Sequence, residues 1–188
     1  MNLVIFGPPG AGKGTQSSFI VKKFKLHQLS TGELLRNEIK NKSELGLKIS
    51  SIIDSGNLVS DEIVSKLIEK FVSSEIYKNR LIFDGYPRNL NQAVNLDKLL
   101  KQYNQKIDLV LVLSVSLNTI KKRIMERKTL EKRSDDNEDV AVKRYDTYES
   151  NIKPVLDFYK KSNLIKVVNG ETSISRINDE ISDLIGTI

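Results

Sequence analysis

The sequence contains no cysteine and no tryptophan, and His27 is its single histidine. Without cysteine the chain can form no disulfide, no thiolate nucleophile and no cysteine-ligated zinc site. One histidine argues against both a histidine-based catalytic triad and a multi-histidine metal site. We interpret His27 as a packing or surface residue, because it stands at the start of a short predicted strand. The chemistry must therefore come from lysine, arginine, carboxylates and backbone groups.

Long apolar runs and concentrated charge are also missing. The apolar start of the chain, which ends at Gly7, is too short for a signal peptide or a membrane span, so we expect a soluble, cytoplasmic protein with no membrane partner. The formal net charge is +6, but lysines and glutamates alternate along most predicted helices. Aromatic residues are few and scattered, so the pattern does not favour nucleic-acid binding. A chain of 188 residues with no linker predicts one domain, residues 1–188.

Residues 7–15, Gly-Pro-Pro-Gly-Ala-Gly-Lys-Gly-Thr, form a glycine-rich turn with a lysine. An apolar run precedes the turn and a helical pattern, from residue 16, follows it. In this context the glycines let backbone N–H groups converge on an anion, while the helix dipole and Lys13 add positive charge. The common motif has Ser or Thr directly after the lysine, whereas here Gly14 follows and Thr15 comes next. The turn predicts a nucleoside triphosphate site.

Apolar, β-rich runs recur along the rest of the chain. They are mostly continuous rather than alternating, as expected for strands that helices cover on both faces. Helical periods separate them, and this alternation after a phosphate loop predicts an α/β fold of the P-loop NTPase type, with a doubly wound parallel sheet of five strands. The predicted strands are residues 2–6, 27–29, 81–83, 109–113 and 164–168.

The helical patterns lead to further expectations. Ser60 is predicted to cap the helix that follows it, and a long helix over 140–161 is predicted to break near Pro154.

Two polar segments fit no strand: residues 31–59 are helical, and residues 127–139 are a charged connection between two helices. Ligands in such sheets bind at the carboxyl ends of the strands, so both segments are candidate flaps over the phosphate site.

A second motif follows the predicted third strand, in residues 80–88, Arg-Leu-Ile-Phe-Asp-Gly-Tyr-Pro-Arg. Asp84 ends the strand, where its carboxylate can hold water or Mg²⁺ beside the phosphates. Gly85 allows close backbone approach, and Pro87 fixes the direction in which Arg88 leaves. Together with the phosphate loop, this motif predicts a functional site beside the phosphates rather than an ordinary turn at the end of a strand.

Three further segments complete a pattern that resembles the adenylate kinase family. They are residues 29–36 (Leu-Ser-Thr-Gly-Glu-Leu-Leu-Arg), 56–59 (Gly-Asn-Leu-Val) and 88–93 (Arg-Asn-Leu-Asn-Gln-Ala). The pattern covers nearly the whole chain in the right order. The resemblance implies a doubly wound core, a small subdomain that binds nucleoside monophosphate, and a lid. It places the subdomain at residues 31–59 and a short lid at residues 128–138.

The resemblance also implies which residues bind substrate. Arg36 and Arg88 would grip the phosphate of AMP, and Gln92 would read the edge of its adenine. The residues implied for ATP are Gly10, Ala11, Gly12, Lys13, Gly14, Thr15 and Arg127. Those implied for AMP are Thr31, Arg36, Asn57, Leu58, Val59, Gly85, Tyr86, Pro87, Arg88, Gln92, Arg133 and Arg144. The implied catalytic set is Lys13, Arg88, Arg123, Arg127, Arg133 and Arg144.

Arginine is scarce in this lysine-rich chain, yet six of its eight arginines fall at phosphate-binding positions of the family. Guanidinium binds phosphate bidentately, which lysine cannot do. The family also implies Mg²⁺ with ATP, held by Asp84 through water, and a monomeric enzyme without structural zinc. One departure concerns the lid, where the short-lid form has glycines between its arginines and this chain has Lys-Thr-Leu-Glu-Lys at 128–132. How freely this lid bends stays open.

Other functions remain open on the sequence. A UMP or CMP kinase of the same architecture is the nearest, although Thr31 and the Asn-Gln-Ala run at 91–93 favour adenine. A nucleotide-dependent binding protein should show a concentrated basic patch, which the chain lacks. An inactive member of the fold is disfavoured by the intact Lys13, Asp84 and arginine set. Because the AMP phosphate oxygen is already ionised, the implied phosphoryl transfer needs no general base.

Overall fold

The computed structural model describes residues 1–131 and 138–188. Its strands are β1 (Leu3–Phe6), β2 (His27–Ser30), β3 (Leu81–Asp84), β4 (Leu109–Ser114) and β5 (Ile165–Asn169). Its helices are α1 (Lys13–Phe24), α2 (Thr31–Lys40), α3 (Glu44–Asp54), α4 (Asp61–Val72), α5 (Leu90–Gln102), α6 (Leu117–Glu131), α7 (Glu138–Lys160) and α8 (Ile174–Gly186).

The five strands form one sheet in the order β2-β3-β1-β4-β5, and all four strand pairs are parallel. The chain leaves β1 toward one edge of the sheet and later crosses to the other side of β1 to form β4. The predicted fold class is therefore confirmed. In such sheets the carboxyl ends of the strands on either side of this crossover open a crevice for ligands, and the phosphate loop after β1 lies there.

Alternate residues of each strand enter two hydrophobic layers, one on each face of the sheet. In β1, Val4 and Phe6 pack on the face covered by α4, α5 and α7, while Leu3 and Ile5 pack on the face covered by α1 and α8. All four side chains are buried. A sheet buried on both faces explains why its strands read as continuous apolar runs.

The segment between β2 and β3 is helical, as expected. Ser30 caps α2 by accepting from the Glu33 N–H, and Ser43 caps α3 by accepting from the Gly46 N–H. The two helices touch at Gly46, where an added Cβ would lie 2.1 Å from the Glu38 carbonyl oxygen. Glycine at this position is therefore required for the close packing of α2 on α3.

Three local expectations differ from the structure. The helix α7 continues through Pro154, because Ile152, Val155 and Tyr159 anchor it in the core on both sides of the proline. Ser60 occupies the N-cap position of α4, but its side chain makes no capping hydrogen bond. The helix after the phosphate loop begins at Lys13, three residues before the helical pattern in the sequence.

Two other features bear on the sequence analysis. His27 is half-buried and stacks on Tyr77, with ring centroids 4.3 Å apart, in agreement with its interpretation as a packing or surface residue. Across residues 1–131 and 138–188, we find no helix with the length and apolar character that a membrane span needs.

Candidate active site

The phosphate loop connects β1 to α1 at the centre of the sheet. Gly10 and Gly12 have φ values of +84° and +94°, a left-handed backbone that residues with a Cβ rarely adopt. Gly12 is the N-cap of α1, and no side chain caps this helix. The first-turn N–H groups of α1 thus lack a side-chain acceptor, and the dipole at this end of the helix favours an anion.

Lys13 lies in the first turn of α1 with its ammonium folded back onto the loop. Its Nζ donates to the carbonyl oxygens of Gly7, at 2.7 Å, and Pro8, at 3.0 Å. The pKa of Lys13 is lowered to about 8, chiefly by burial; the Asp84 carboxylate opposes this shift, and the nearby arginines contribute to it. A bound phosphate would favour the charged ammonium and supply a new acceptor for it.

A cavity of about 840 Å³ opens beside the loop, at the carboxyl ends of the strands. It extends from the phosphate loop to the segment that follows α3. Six cationic and three anionic side chains line it, so the cavity favours a polyanionic ligand. The cations are Lys13, Arg36, Arg88, Arg123, Arg127 and Arg144, and the anions are Glu33, Asp84 and Glu126.

Several of these arginines lie against glycines. An added Cβ would lie 3.2 Å from the Arg36 guanidinium at Gly32, 3.3 Å from that of Arg88 at Gly85, and 3.2 Å from the Arg144 side chain at Gly56. Each glycine leaves room for the long arginine side chain to cross the backbone. The glycines after β2, α3 and β3 therefore help to bring the arginines to one cavity.

Arg123 connects α6 to the loops that follow β1 and β5. Its Nη1 donates to the Ala11 carbonyl oxygen at 3.3 Å, and its Nη2 donates to that of Gly170 at 2.9 Å. The phosphate loop also packs on α6 through Gly10, where an added Cβ would meet Ile124 Cγ1 at 3.0 Å. Arg123 is thus held beside the loop by two backbone carbonyl oxygens.

Asp84 ends β3 and is almost completely buried at the wall of the cavity. Its Oδ2 accepts from Gln28 Nε2 at 2.9 Å. Gln28 lies on the neighbouring strand β2, so this hydrogen bond fixes the orientation of the Asp84 carboxylate. Among the described residues no group of three or more carboxylates, histidines or cysteines could hold a metal alone. One carboxylate facing a phosphate site fits Mg²⁺, because this ion usually combines one or two carboxylates with waters and substrate phosphates.

The other end of the cavity is organised around Gly85, whose φ is +75°. Its carbonyl oxygen accepts from Thr31 Oγ1 at 2.9 Å and from Arg88 Nε at 2.7 Å. A second, much smaller cavity adjoins this point. Its lining residues are Thr31, Leu35, Leu58, Val59, Val64, Gly85, Arg88 and Gln92.

Gln92 is almost completely buried and hydrogen-bonded at both ends of its amide. Its Oε1 accepts from the Arg88 N–H at 2.7 Å, and its Nε2 donates to Asp61 Oδ1 at 2.6 Å. Asn89 donates to the same carboxylate and caps α5 by accepting from the Gln92 N–H. Gln92 is therefore a rigid part of the small cavity.

Most of the predicted site residues meet in these two cavities. Thr31 and Gln92 line only the smaller one. Tyr86 lines neither, because its ring lies in the core and its hydroxyl donates to the Gln92 carbonyl oxygen. Arg133 and most of the predicted lid lie outside the described residues. Those that line the main cavity are Gly10, Ala11, Gly12, Lys13, Gly14, Thr15, Arg36, Asn57, Leu58, Val59, Asp84, Gly85, Pro87, Arg88, Arg123, Arg127 and Arg144.

The sequence analysis did not identify several residues of the cavity wall. Some, such as Ile174 and Ile177, belong to α8, at the opposite end of the chain from the phosphate loop. Ile174 is 60% exposed and Ile177 is buried, so α8 adds apolar surface to the cavity wall. In the sequence, the only indication of a role for Ile174 was its position shortly after the last predicted strand. The unidentified wall residues include Gln28, Glu126, Thr147, Tyr148, Thr172, Ile174 and Ile177.

Comparison with known proteins gives a consistent result. The family model for adenylate kinase matches residues 5–164. An adenylate kinase of Pelagibacter ubique is 44% identical, over 98% of this chain and 99% of the relative. An adenylate kinase of Fusobacterium nucleatum is 38% identical, over 99% of both chains, and one of Bifidobacterium longum is 39% identical, over 96% of this chain and 97% of the relative.

Proposed function

The chain belongs to the adenylate kinase family, and we propose that its main cavity holds ATP and AMP together for transfer of the γ-phosphoryl group, which yields two ADP. The observation that carries this proposal is the single cavity that joins the phosphate loop to the Gly85 end. A phosphate-binding element lies at each end, and cationic side chains lie between them. Two polyanions can therefore meet there.

The ATP end is the phosphate loop. Backbone N–H groups of residues 10–15 bind the phosphates, and Lys13 turns from the Gly7 and Pro8 carbonyls to the phosphate chain. The exposed Ile174 and its neighbour Ile177 offer apolar surface for the base of ATP. Arg123 and Arg127 approach from α6, so they can contact the transferred group.

The AMP end is formed by the wall that follows β2, α3 and β3. Arg36 and Arg88 bind the monophosphate, and Arg144 adds charge from α7. Thr31 and Gln92, on the adjoining small cavity, contact the adenine together with the backbone of residues 57–59. Adenine rather than uracil or cytosine is the base we propose, because Thr31 and the Asn-Gln-Ala run at residues 91–93 favour it.

Transfer joins an oxygen of the AMP phosphate to the γ-phosphorus while the bond from that phosphorus to the β,γ-bridging oxygen breaks. The nucleophile is already ionised, so no side chain has to remove a proton. The cations of the cavity align the two substrates and neutralise charge on the transferred group. Residues 31–59 act as a flap whose closure excludes water, the competing acceptor.

The family generally uses Mg·ATP, and the residues present fit that ion. Asp84 would hold it through water, and Gln28 would keep the carboxylate aimed at the cavity. When bound, Mg²⁺ neutralises phosphate charge as the transition state develops. We further propose that the enzyme acts as a cytoplasmic monomer without a nucleic-acid or membrane partner. Analytical ultracentrifugation of the purified protein tests the oligomeric state.

Phosphoryl transfer from Mg·ATP to AMP, UMP, CMP and GMP in parallel tests the proposed function, with a reaction lacking any acceptor as the control. We expect rapid ADP formation with AMP alone. A preference for UMP or CMP would keep the mechanism but overturn the assignment of adenine to Thr31 and Gln92. ATP binding without acceptor-dependent turnover would contradict the kinase assignment and favour a nucleotide-dependent binding protein.

A further inference from the structure

The Asp61 carboxylate collects three hydrogen bonds from the far side of the small cavity. Asn89 Nδ2 donates to both of its oxygens, at 3.0 and 3.1 Å, and Gln92 Nε2 donates to Oδ1 at 2.6 Å. Asp61 is the first residue of α4, and it lines neither cavity. It therefore does not touch the proposed substrates and can act only through the residues that it holds.

The residue that it holds is Gln92, whose amide has only one favourable orientation. In the observed orientation Nε2 faces the carboxylate and Oε1 faces the Arg88 N–H. Rotating the amide by half a turn would place Oε1 against an oxygen that can only accept, and Nε2 against another donor. Both groups would then be buried without a hydrogen-bond partner, so the rotated orientation is disfavoured.

A fixed amide presents a fixed pattern of donor and acceptor to the cavity. The amide oxygen has a second lone pair, and the amide nitrogen has a second hydrogen. Together these groups complement a purine with a 6-amino donor and an N1 acceptor. A 6-oxo purine presents the reverse pattern, an acceptor at position 6 and a donor at N1, and would need the rotated amide.

We propose that Asp61 is a positioning residue that sets the choice between 6-amino and 6-oxo purine monophosphates by locking the orientation of the Gln92 amide. This inference rests on the proposed function, in which Gln92 contacts the acceptor base. The Arg88 N–H favours the same orientation, but it is a single neutral donor. The carboxylate is the stronger determinant, because hydrogen bonds to ionised groups are about twice as strong.

The test compares AMP with inosine monophosphate, which differs from AMP only in the groups at positions 6 and 1. Dissociation constants of both are measured by calorimetry on the wild type and on Asp61→Asn. In Asp61→Asn one acceptor oxygen serves two donors, so the amide can rotate. We expect the preference for AMP to fall roughly tenfold, mainly through weaker AMP binding, with ATP affinity unchanged.

Three variants serve as controls. Glu62→Gln removes the neighbouring charge in the same turn of α4, but Glu62 pairs with the exposed Lys66 and lines neither cavity, so the preference should not change. Asn89→Ser breaks the Asn89 bond to Asp61 and keeps a good N-cap for α5, so the preference should also persist. Asp61→Glu keeps an acceptor-only group and should restore most of the preference.

The outcomes separate the inference from the proposed function. A wild type that binds no AMP contradicts the proposed function itself. Strong AMP preference that survives in Asp61→Asn overturns the role of Asp61, as does an equal loss of AMP and inosine monophosphate binding. Loss of preference in Asn89→Ser to the same extent would also overturn it. If Asp61→Asn does not fold, Asp61→Ser provides the same test, because serine is tolerated at helix starts and its hydroxyl is too short to reach Gln92.

Discussion

The two ends of the main cavity differ in the groups that form them: one end uses mainly backbone groups, and the other uses mainly side chains. The ATP end consists largely of backbone: Gly10 and Gly12 adopt positive φ, and Lys13 rests on carbonyl oxygens of its own loop. The AMP end consists largely of side chains fixed by hydrogen bonds: Thr31 and Arg88 donate to the Gly85 carbonyl oxygen, and Gln92 donates to the Asp61 carboxylate.

This difference assigns separate tasks to the two ends. A cradle of backbone N–H groups recognises phosphate and carries no information about the attached base. A network of buried side chains presents donors and acceptors in fixed directions, so it can reject a base that mismatches them. We therefore expect changes at the ATP end to affect every triphosphate and changes at the AMP end to affect the choice of acceptor.

Removal of a cation that neutralises phosphate charge during the transfer should have the largest effect. Arg88→Ala is expected to lower kcat by about 10²–10⁵-fold, the range for one group that stabilises transition-state charge. Lys13→Met should cause a loss of similar size from the ATP end. Steady-state assays with AMP as acceptor measure both effects.

Arg176→Ala is the matched control for this prediction, since Arg176 is an exposed arginine on α8 that lines neither cavity. It should turn over like the wild type. Near-normal turnover of a folded Arg88→Ala protein would contradict the role given to Arg88.

A change at Gly85 should affect the AMP end alone and by a smaller amount. In Gly85→Ala the residue keeps φ near +75°, which costs about 1–2 kcal/mol for an L side chain. The new methyl would also press on Thr31 Oγ1 at 3.2 Å and Arg88 Nη2 at 3.3 Å. We expect KM for AMP to rise roughly tenfold, with KM for ATP unchanged.

Gly186→Ala is the control for Gly85→Ala, because an added Cβ at Gly186 meets no atom within 4 Å. It should leave both KM values at the wild-type level. An equal rise of KM for ATP in Gly85→Ala would show that the two ends are not separable.

The smallest effect concerns protonation at the ATP end. Because the pKa of Lys13 is about 8, part of the free enzyme carries a neutral Lys13 above that pH. Bound phosphate stabilises the charged form and raises the pKa again, so ATP binding above pH 8 should take up a fraction of a proton. Calorimetry in buffers of different ionisation enthalpy measures this uptake.

Two comparisons check the assignment of the proton to Lys13. The uptake should be absent in Lys13→Met and in the binding of AMP alone to the wild type. Uptake of the same size with AMP would place the titrating group outside the ATP end and would remove this difference between the two ends.

Local sequence patterns predicted the sheet because its strands are buried on both faces. A continuous apolar run such as residues 109–113 has no other favourable environment, so its position follows from composition alone. The phosphate loop could also be predicted from the sequence, since Gly12 and Lys13 act within a single turn. The resemblance supplied Gln92 and most of the AMP-end residues, yet it did not show how those residues are held.

Longer-range packing explains where the sequence analysis was wrong or silent. Pro154 was expected to break α7, but contacts of Ile152 and Val155 with the core stabilise the helix across the lost hydrogen bond. Gln28 gave no signal of its own, because its partner Asp84 is 56 residues away in the sequence.

The sequence by itself determined the class of this protein: its alternating elements, its phosphate loop, its rare arginines and the lack of cysteine chemistry. These features act over one turn or one strand, and their physical causes are local. Only the tertiary structure decided that Asp61 holds Gln92, that glycines make room for arginines, and that α8 lines the main cavity. Such contacts join segments far apart in the chain, and no local pattern of residues encodes them.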